Sequence, residues 1–570
     1  MFSAFLLASI YTATPYTNQD RLPLELIPVR VVDSIDYAKM FEGDIDREKN
    51  GMPLRFAQPT EVSITPATHG IWERLQDNKM RWTFSVFCDN ALSMNLGFAN
   101  YNMPESGSML IMDETSEMQI RPFTSDDNKD HGQLWTPIIP SNQAVIEIIV
   151  DKADKHFVSK SIELTAINAG YRGFKKLEGR GSSGACNIDV VCSQGDSWWD
   201  EIPSVGVYTL GGWWTCTGAM INNTAEDFKP YFLTANHCGV TSSSDASIVV
   251  YWNYQNSYCR VPDSGDSGGN GNGNLSQFTS GSTMRATRSY TDFTLTELSS
   301  SPNASWGITF SGWSRSSSTS GVGAGIHHPS TAEKRISFPD YSSASGEYWN
   351  VNWNQGTTEP GSSGSPLYDS NHRIVGQLCC GSAACGNDSN DYYGRSISLS
   401  WTGSASSSLS SWLDPTGSNA PYLDTYNPAS APVGACCIPA AGTCIDFSQA
   451  VCISGGGIYQ GDNSACATTD CQLYVGACCI EATQACVAVS EITCNAGGGI
   501  YQGNDTACAD IDCFAPACPS DINGDNTTDE SDILALVAAW GSNDVNADVN
   551  GDGVINVSDL LIMIEAWGPC

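Results

Sequence analysis

Cysteine is confined almost wholly to one side of residue 180: 22 of the 23 lie beyond it, and only Cys88 lies upstream. An even set suits disulfides and an oxidising compartment. Within the set, VGACC at 433–437 recurs at 475–479, and GGGIYQG at 455–461 recurs at 497–503. Cys436, Cys437, Cys444, Cys452, Cys466 and Cys471 each recur 42 places later. Two repeats, 433–471 and 475–513, are therefore expected as disulfide-stapled modules, because segments this short bury too little apolar surface unaided. They contain no histidine and no paired CxxC spacing, which disfavours zinc. Their pairing is left open. Cys518 and Cys570 bracket a last unit, 518–570, and could be tied together.

At 570 residues the chain is too long for one core. The opening FSAFLLASI reads as a signal peptide within 1–17, although it lacks a basic start. Residues 18–180 read as a β-rich domain with alternating stretches such as RWTFSVF (81–87) and AVIEIIV (144–150). Residues 181–427 are rich in Gly, Ser and Trp, with short apolar strands and long polar loops, so a barrel or sandwich is expected. Pro-Ala-Ser-Ala-Pro at 428–432 is a linker. No apolar run reaches the length of a membrane span.

The formal charge of −35 disfavours nucleic acid and anionic lipid as partners. Its distribution is uneven. Residues 1–180 hold 18 Lys and Arg, residues 181–395 hold nine, and none follows Arg395. Chemistry is concentrated in three segments. FLTANHC puts His237 at a strand end, SYTDFTLTEL puts Asp292 at a strand start, and TEPGSSGSP puts Ser363 in a Gly-rich turn. Serine needs an imidazole to take its proton and a carboxylate to orient that imidazole. The chain order His, Asp, Ser matches the chymotrypsin arrangement of a catalytic triad.

Together with GACNIDVVC, CTGAMINNT, YFLTANHCG, SIVVYWNYQNSYC and IHHPSTAEKRIS, these segments resemble the secreted bacterial lysyl endopeptidases, a branch of the chymotrypsin superfamily. The resemblance implies a mainly β, trypsin-like double-barrel protease domain. It implies His237 as general base, Asp292 as its orienter, Ser363 as nucleophile, and the Gly361 and Ser363 N–H groups as oxyanion hole. It also implies disulfides Cys186–Cys385, Cys192–Cys259 and Cys216–Cys238, leaving adjacent Cys379 and Cys380 either to bridge each other or to pair elsewhere. Cys379 stands where the family has a histidine. Asp391, with Asp388 as the alternative, would anchor a cationic side chain, so cleavage follows Lys, with Arg also open. Trp349 is a candidate for the family's pocket tryptophan. His327 and His328 read as structural, since adjacent side chains on a loop seldom both reach one ion.

The same resemblance places a mature terminus at Gly181 and makes 18–180 a removable pro-region. Ser362 replaces the aspartate before the nucleophile, so activation cannot use the usual terminus-to-carboxylate ion pair. The absence of Lys and Arg after residue 395 would spare the tail from such an enzyme. No cofactor is expected for catalysis.

Two loops at the C-terminus, DINGDNTTDESD and DVNGDGVINVSD, start 27 residues apart, and each precedes an apolar helical run. Oxygen ligands at positions 1, 3, 5, 9 and 12 suit Ca²⁺. They are Asp521, Asn523, Asp525, Asp529 and Asp532, then Asp548, Asn550, Asp552, Asn556 and Asp559, with backbone carbonyls from Thr527 and Val554. The duplicate resembles a small α-helical type I dockerin, which implies a cohesin-like or surface partner. The whole reads as a secreted or surface-attached serine endopeptidase made as a zymogen and tethered by this module; the alternative is an adhesion or scaffold protein with a relict protease domain.

Overall fold

The computed structural model describes residues 21–174 and 183–428, apart from 270, 319–320 and 388, and describes 433–569 in shorter stretches. The signal-peptide segment, the Arg180–Gly181 junction, Asp388, Cys518 and Cys570 lie outside the described residues. The chain divides into one unit up to Pro432 and a second from Val433.

The upstream part packs a six-stranded sheet against a four-stranded one. Lys79–Phe87 and Gln143–Asp151 run antiparallel at the centre of the first, with Trp82 opposite Ile148. Alternation in RWTFSVF implies a half-buried strand, yet both faces are buried. Arg81 is only 1 % exposed and pairs across the sheet with Glu147 at 3.4 Å, and Arg21 reaches the same carboxylate at 3.2 Å. The polar face therefore closes on ion pairs.

A helix that apolar periodicity does not announce, Tyr37–Lys49, is fixed by its polar groups. Asp36 caps it by accepting from the Lys39 N–H. Asp44, 2 % exposed, pairs with Arg55 at 2.8 Å and Arg172 at 3.0 Å and accepts from the Tyr171 hydroxyl. Those bonds carry the chain from the helix into the strand Leu54–Arg55, which leaves the upstream part and joins a barrel.

From residue 183 the structure is a double β-barrel. In the first, Val205–Leu210 pairs with Val249–Tyr251 and Trp214–Met220, which pairs with Tyr231–Ala235 and so leads to Phe293–Leu298. Phe278–Ser280 and Ser282–Arg288 close the ring, because they are one strand turned at Gly281, whose φ is +86°. In the second, the order Pro366–Asp369, Val322–His327, Arg335–Ser345, Tyr348–Gln355, Asp391–Gly394, Ile374–Gly381 returns to Pro366–Asp369. Ile188–Asp189 pairs antiparallel with the first residues of Arg335–Ser345. Asp189 is fully buried there between Arg260 (2.6 Å) and Arg335 (3.0 Å), which staples the start of this domain to the barrel.

The upstream part and the first barrel share one core. Val207, Val249, Tyr251, Tyr254 and Phe278 belong to the same buried cluster as Phe56, Ile138 and Phe174. Tyr251 accepts a hydrogen bond from the Ile138 N–H.

In the second unit each repeat is a three-stranded sheet, ordered Thr443–Ser448, Val433–Ile438, Ile458–Tyr459 and then Ala485–Ser490, Val475–Ile480, Ile500–Tyr501. The described bridges follow one scheme: Cys436–Cys452 and Cys444–Cys466, repeated as Cys478–Cys494 and Cys486–Cys508, with Cys479–Cys513 in the second copy. Helices Glu530–Ala538 and Val557–Glu565 then pack around Leu536, Ile555 and Met563. Among the described residues no helix is long and apolar enough to cross a membrane.

Candidate active site

His237 follows the strand Tyr231–Ala235 in a short helical turn, and Asp292 precedes Phe293–Leu298, the strand paired with it. Adjacent strand ends therefore deliver the two side chains to one rim. Asp292 sits at φ +52°, in the left-handed region, and its backbone is held by Asn236 N and Gln377 Nε2. Its carboxylate accepts from the His237 backbone N–H and from His237 Nδ1, both at 2.8 Å. The imidazole so oriented leaves Nε2 toward the cleft.

Ser363 comes from the other barrel and lines the same cleft as His237. No hydrogen bond joins it to the imidazole among the described residues, the looser arrangement common before a substrate tightens the pair. Gly361 has φ +98°, and a Cβ there would stand 3.2 Å from the His328 carbonyl. Glycine is thus required by backbone and space together.

Residues not singled out from the sequence hold this loop. Thr217, on Trp214–Met220 of the first barrel, donates its N–H to the Ser363 carbonyl at 2.8 Å and its hydroxyl to the Gly361 carbonyl at 2.9 Å. Its Oγ1 also accepts from the His328 N–H. Glu359 accepts from the Gly184 N–H and Asn187 Nδ2, each at 2.7 Å, and from Ser330 Oγ. Both lie within quoted segments, CTGAMINNT and TEPGSSGSP, but nothing in those strings marks them as the residues that hold the loop. His327 and His328 are buried; His327 is bonded on both ring nitrogens to Ser362 and Ser337, and burial pushes it down to about 3.

The cleft, about 140 Å³, is lined by His237, Ser363, Cys379, Cys380 and Asp391, and also by Glu48, Gly51 and Met52 of the upstream part. Asp391 is 2 % exposed. It accepts from Trp353 Nε1 (2.7 Å), Thr358 Oγ1 (2.6 Å) and the Ala383 N–H (3.3 Å), but from no cation among the described residues. Burial holds its carboxyl above the ordinary range despite those donors. Trp349 is not a cleft residue: its ring is buried with Val351 and Leu367, its Nε1 bonds the Val375 carbonyl, and Trp353 is the indole on Asp391. Bridges Cys186–Cys385, Cys192–Cys259 and Cys216–Cys238 are present, whereas Cys379 and Cys380 are thiols with sulfurs 2.8 Å apart.

In the second unit, Asp521, Asp525 and Asp532 bring carboxylate oxygens within 4.8 Å of one another. Asn523 Oδ1 accepts from the Asp525 N–H, as Asn550 Oδ1 does from Asp552. Asp548 accepts from Asp552 and Gly553, and Asp559 from Asn550 and Asn556. Asp529 and Asn556 are turned to the helices they begin, as caps accepting from Ser531 and Ser558.

Two closed barrels with a histidine–aspartate pair on one rim and a serine from the other form the domain of a serine endopeptidase. Residues 180–394 match the family described as lysyl endopeptidase, C-terminal domain, and residues 519–566 match the dockerin type I domain. The double barrel thus carries the match to the lysyl endopeptidase domain, and the helical segment near the C-terminus carries the match to the type I dockerin domain. A lysyl endopeptidase of Pseudomonas aeruginosa is 28 % identical over 376 residues, covering 60 % of this chain and 78 % of the relative. Among solved structures, the HtrA-type protease AlgW with tripeptide is 13 % identical with a TM-score of 0.26, over 37 % of this chain and 62 % of that one. A Glu endopeptidase in complex with MPD is 17 % identical with a TM-score of 0.24, over 34 % and 85 %.

Replacing Thr217 by Val keeps shape but removes both hydroxyl bonds. We expect urea unfolding to show a loss of about 1–3 kcal/mol, accompanied by a fall in kcat. An unchanged kcat would show that the loop keeps its geometry without the Thr217 hydroxyl.

Proposed function

We propose that this chain is a secreted or surface-attached endopeptidase that hydrolyses peptide bonds after Lys, with Arg a poorer fit, and that it is made as a zymogen. The observation that carries the specificity is Asp391: a buried carboxylate beside the serine, supplied with three hydrogen bonds and no counter-cation among the described residues. Leaving an anion so placed costs free energy that an incoming ammonium recovers. In this reading Ser363 attacks the scissile carbonyl while His237 takes its proton. Asp292 holds the imidazole and stabilises its charged form. Neither the Gly361 nor the Ser363 N–H has a protein acceptor among the described residues, so both are free to bind the oxyanion. His237 then protonates the leaving amine, and water resolves the acyl-enzyme by the reverse route.

Because Asp391 is raised by burial, lowering the pH protonates it sooner than an ordinary carboxylate, and the cation's partner is lost. The KM for a lysyl substrate should therefore climb as pH falls through that raised range. Asp391→Asn should raise KM at every pH by a factor of about thirty or more, the equivalent of at least about 2 kcal/mol, and flatten the profile. Ser363→Ala should abolish turnover. Equal use of neutral and cationic substrates by the wild type would refute the assignment.

Zymogen control is supported by the upstream strand. Leu54 pairs with Thr215 and Arg55 with Trp214, and the Phe56 N–H donates to the Trp213 carbonyl. Met52 and Gly51 thereby lie in the cleft, and Leu54 packs on Gly361. The strand Leu54–Arg55 anchors this segment on the barrel, and the turn before it, with Gly51 and Met52, occupies the cleft without offering a cationic side chain. Release requires separation of the upstream part, with cleavage after Arg180. Amino-terminal sequencing of active enzyme should read from Gly181, and Leu54→Asp should give measurable activity in the uncleaved chain. Full activity of the intact wild-type chain would sink the proposal.

The dockerin domain is proposed to bind Ca²⁺ and to dock on a cohesin-like or surface partner. The donors are all oxygen, and three carboxylates with oxygens within 4.8 Å of one another suit a shared hard divalent cation. Chelation with EDTA should strip amide hydrogen-exchange protection from Glu530–Ala538 and Val557–Glu565 in the full chain, and Ca²⁺ should restore it. Protection that ignores EDTA would exclude a structural ion.

A further inference from the structure

Successive side chains of a regular strand point to opposite faces, so neighbouring cysteines normally keep their sulfurs apart. Cys379 and Cys380 do not. The ladder from Ile374–Gly381 to Asp391–Gly394 shifts register between Leu378 and Cys380, and the sulfurs meet at 2.8 Å. Both line the cleft. Cys379 Sγ also lies within 4.8 Å of ligand atoms of His237 and Asp292. Gly381, the next residue, abuts the Asp391 carboxylate so closely that a Cβ on it would stand 2.0 Å from Oδ1. One dipeptide thus touches both halves of the site.

We propose that Cys379 and Cys380 are a thiol–disulfide exchange site through which a small-molecule disulfide, such as oxidised glutathione, reversibly weakens substrate binding. The effect on turnover rests on the protease reading above; the exchange chemistry does not. The exposed Cys380 thiolate attacks one sulfur of the external disulfide, forming a mixed disulfide and expelling one thiolate. Cys379 then loses its proton and attacks the Cys380 sulfur, forming the Cys379–Cys380 bond and expelling the second thiolate, which takes up a proton. Two protein thiols are oxidised and one external disulfide is reduced to two thiols.

The local chemistry divides these roles. A hydrogen bond from Cys379 holds the Cys380 thiol below its usual range, while that same bond, burial and the Asp292 charge hold Cys379 far above its own. Cys380 is exposed and Cys379 half-buried, so the attacking sulfur is the one an oxidant can reach. Closing the bond draws the sulfurs from 2.8 Å to about 2.03–2.05 Å. The ring includes the peptide between the two residues, so closure re-angles 379–381 against Asp391 and turns the Cys379 sulfur from Asp292.

The test poises the mature protein in glutathione buffers of rising oxidised share. Peptide mass mapping after alkylation reads the bridge, and steady-state rates on a lysyl peptide read its effect. We expect a loss of two hydrogens at Cys379–Cys380 and at least a tenfold rise in KM that follows it, with kcat changing less. Both should reverse in reduced glutathione while Cys216–Cys238 and Cys186–Cys385 stay closed. Cys380→Ala should lose the response whatever its basal rate. The proposal is overturned if the pair stays in one state throughout, if it bridges without a change in KM, or if the response persists in Cys380→Ala. Mass mapping needs no activity, so a chain that bridges but hydrolyses nothing would refute the protease reading and leave the exchange site standing.

Discussion

The Ser363 loop of one barrel is held by a strand of the other, and Thr217 makes the joint. Through its N–H and hydroxyl it binds the carbonyls of Ser363 and Gly361, and it receives the His328 N–H. Histidine and aspartate come from adjacent strand ends of the first barrel, so their mutual geometry is local. Serine relative to histidine is not local: it depends on how two separately closed barrels meet. A hydrogen-bonded joint at the loop itself fixes that relation where tolerance is smallest, since reacting groups must be held within fractions of an ångström. The left-handed backbone of Gly361 and of Asp292 is the cost of turning the chain on both sides of this joint.

Buried charge divides the structure by purpose. Asp189 between Arg260 and Arg335, and Asp44 between Arg55 and Arg172, are carboxylates whose cations come from the chain. They bind segments together and are closed to any ligand. Asp391 is as well buried and has only neutral donors. Among the described residues no cation of the chain balances it, and the Cys379–Cys380 pair lines the same cleft.

Much of this was legible in the residues. FLTANHC, DFTLTEL and TEPGSSGSP placed the three chemical groups on strand ends and in a Gly-rich turn, where they lie. Short strands without helical period pointed to a barrel or sandwich, and the double barrel followed from the family resemblance. What escaped depends on long-range contacts. Thr217 is an ordinary strand threonine until the second barrel arrives. Trp353, rather than Trp349, touches Asp391 because a strand of the second barrel brings it there, a matter of register that alternation cannot resolve. The helix Tyr37–Lys49 buries little apolar surface and is held by Asp44's ion pairs, which periodicity does not see. Asp529 and Asn556 fit a ligand spacing and a capping box equally well, since both patterns use the same short polar side chains.

The shared core of the upstream part and first barrel bears on what a cut between them would do. Tyr251, Tyr254 and Phe278 are buried among residues such as Phe56, Ile138 and Phe174. Breaking one peptide bond removes none of those contacts. The two fragments would remain a non-covalent complex held by that core. Departure of the upstream fragment would expose apolar surface on the barrel, so the separated domain would be held in its fold by an unfolding barrier as much as by equilibrium stability.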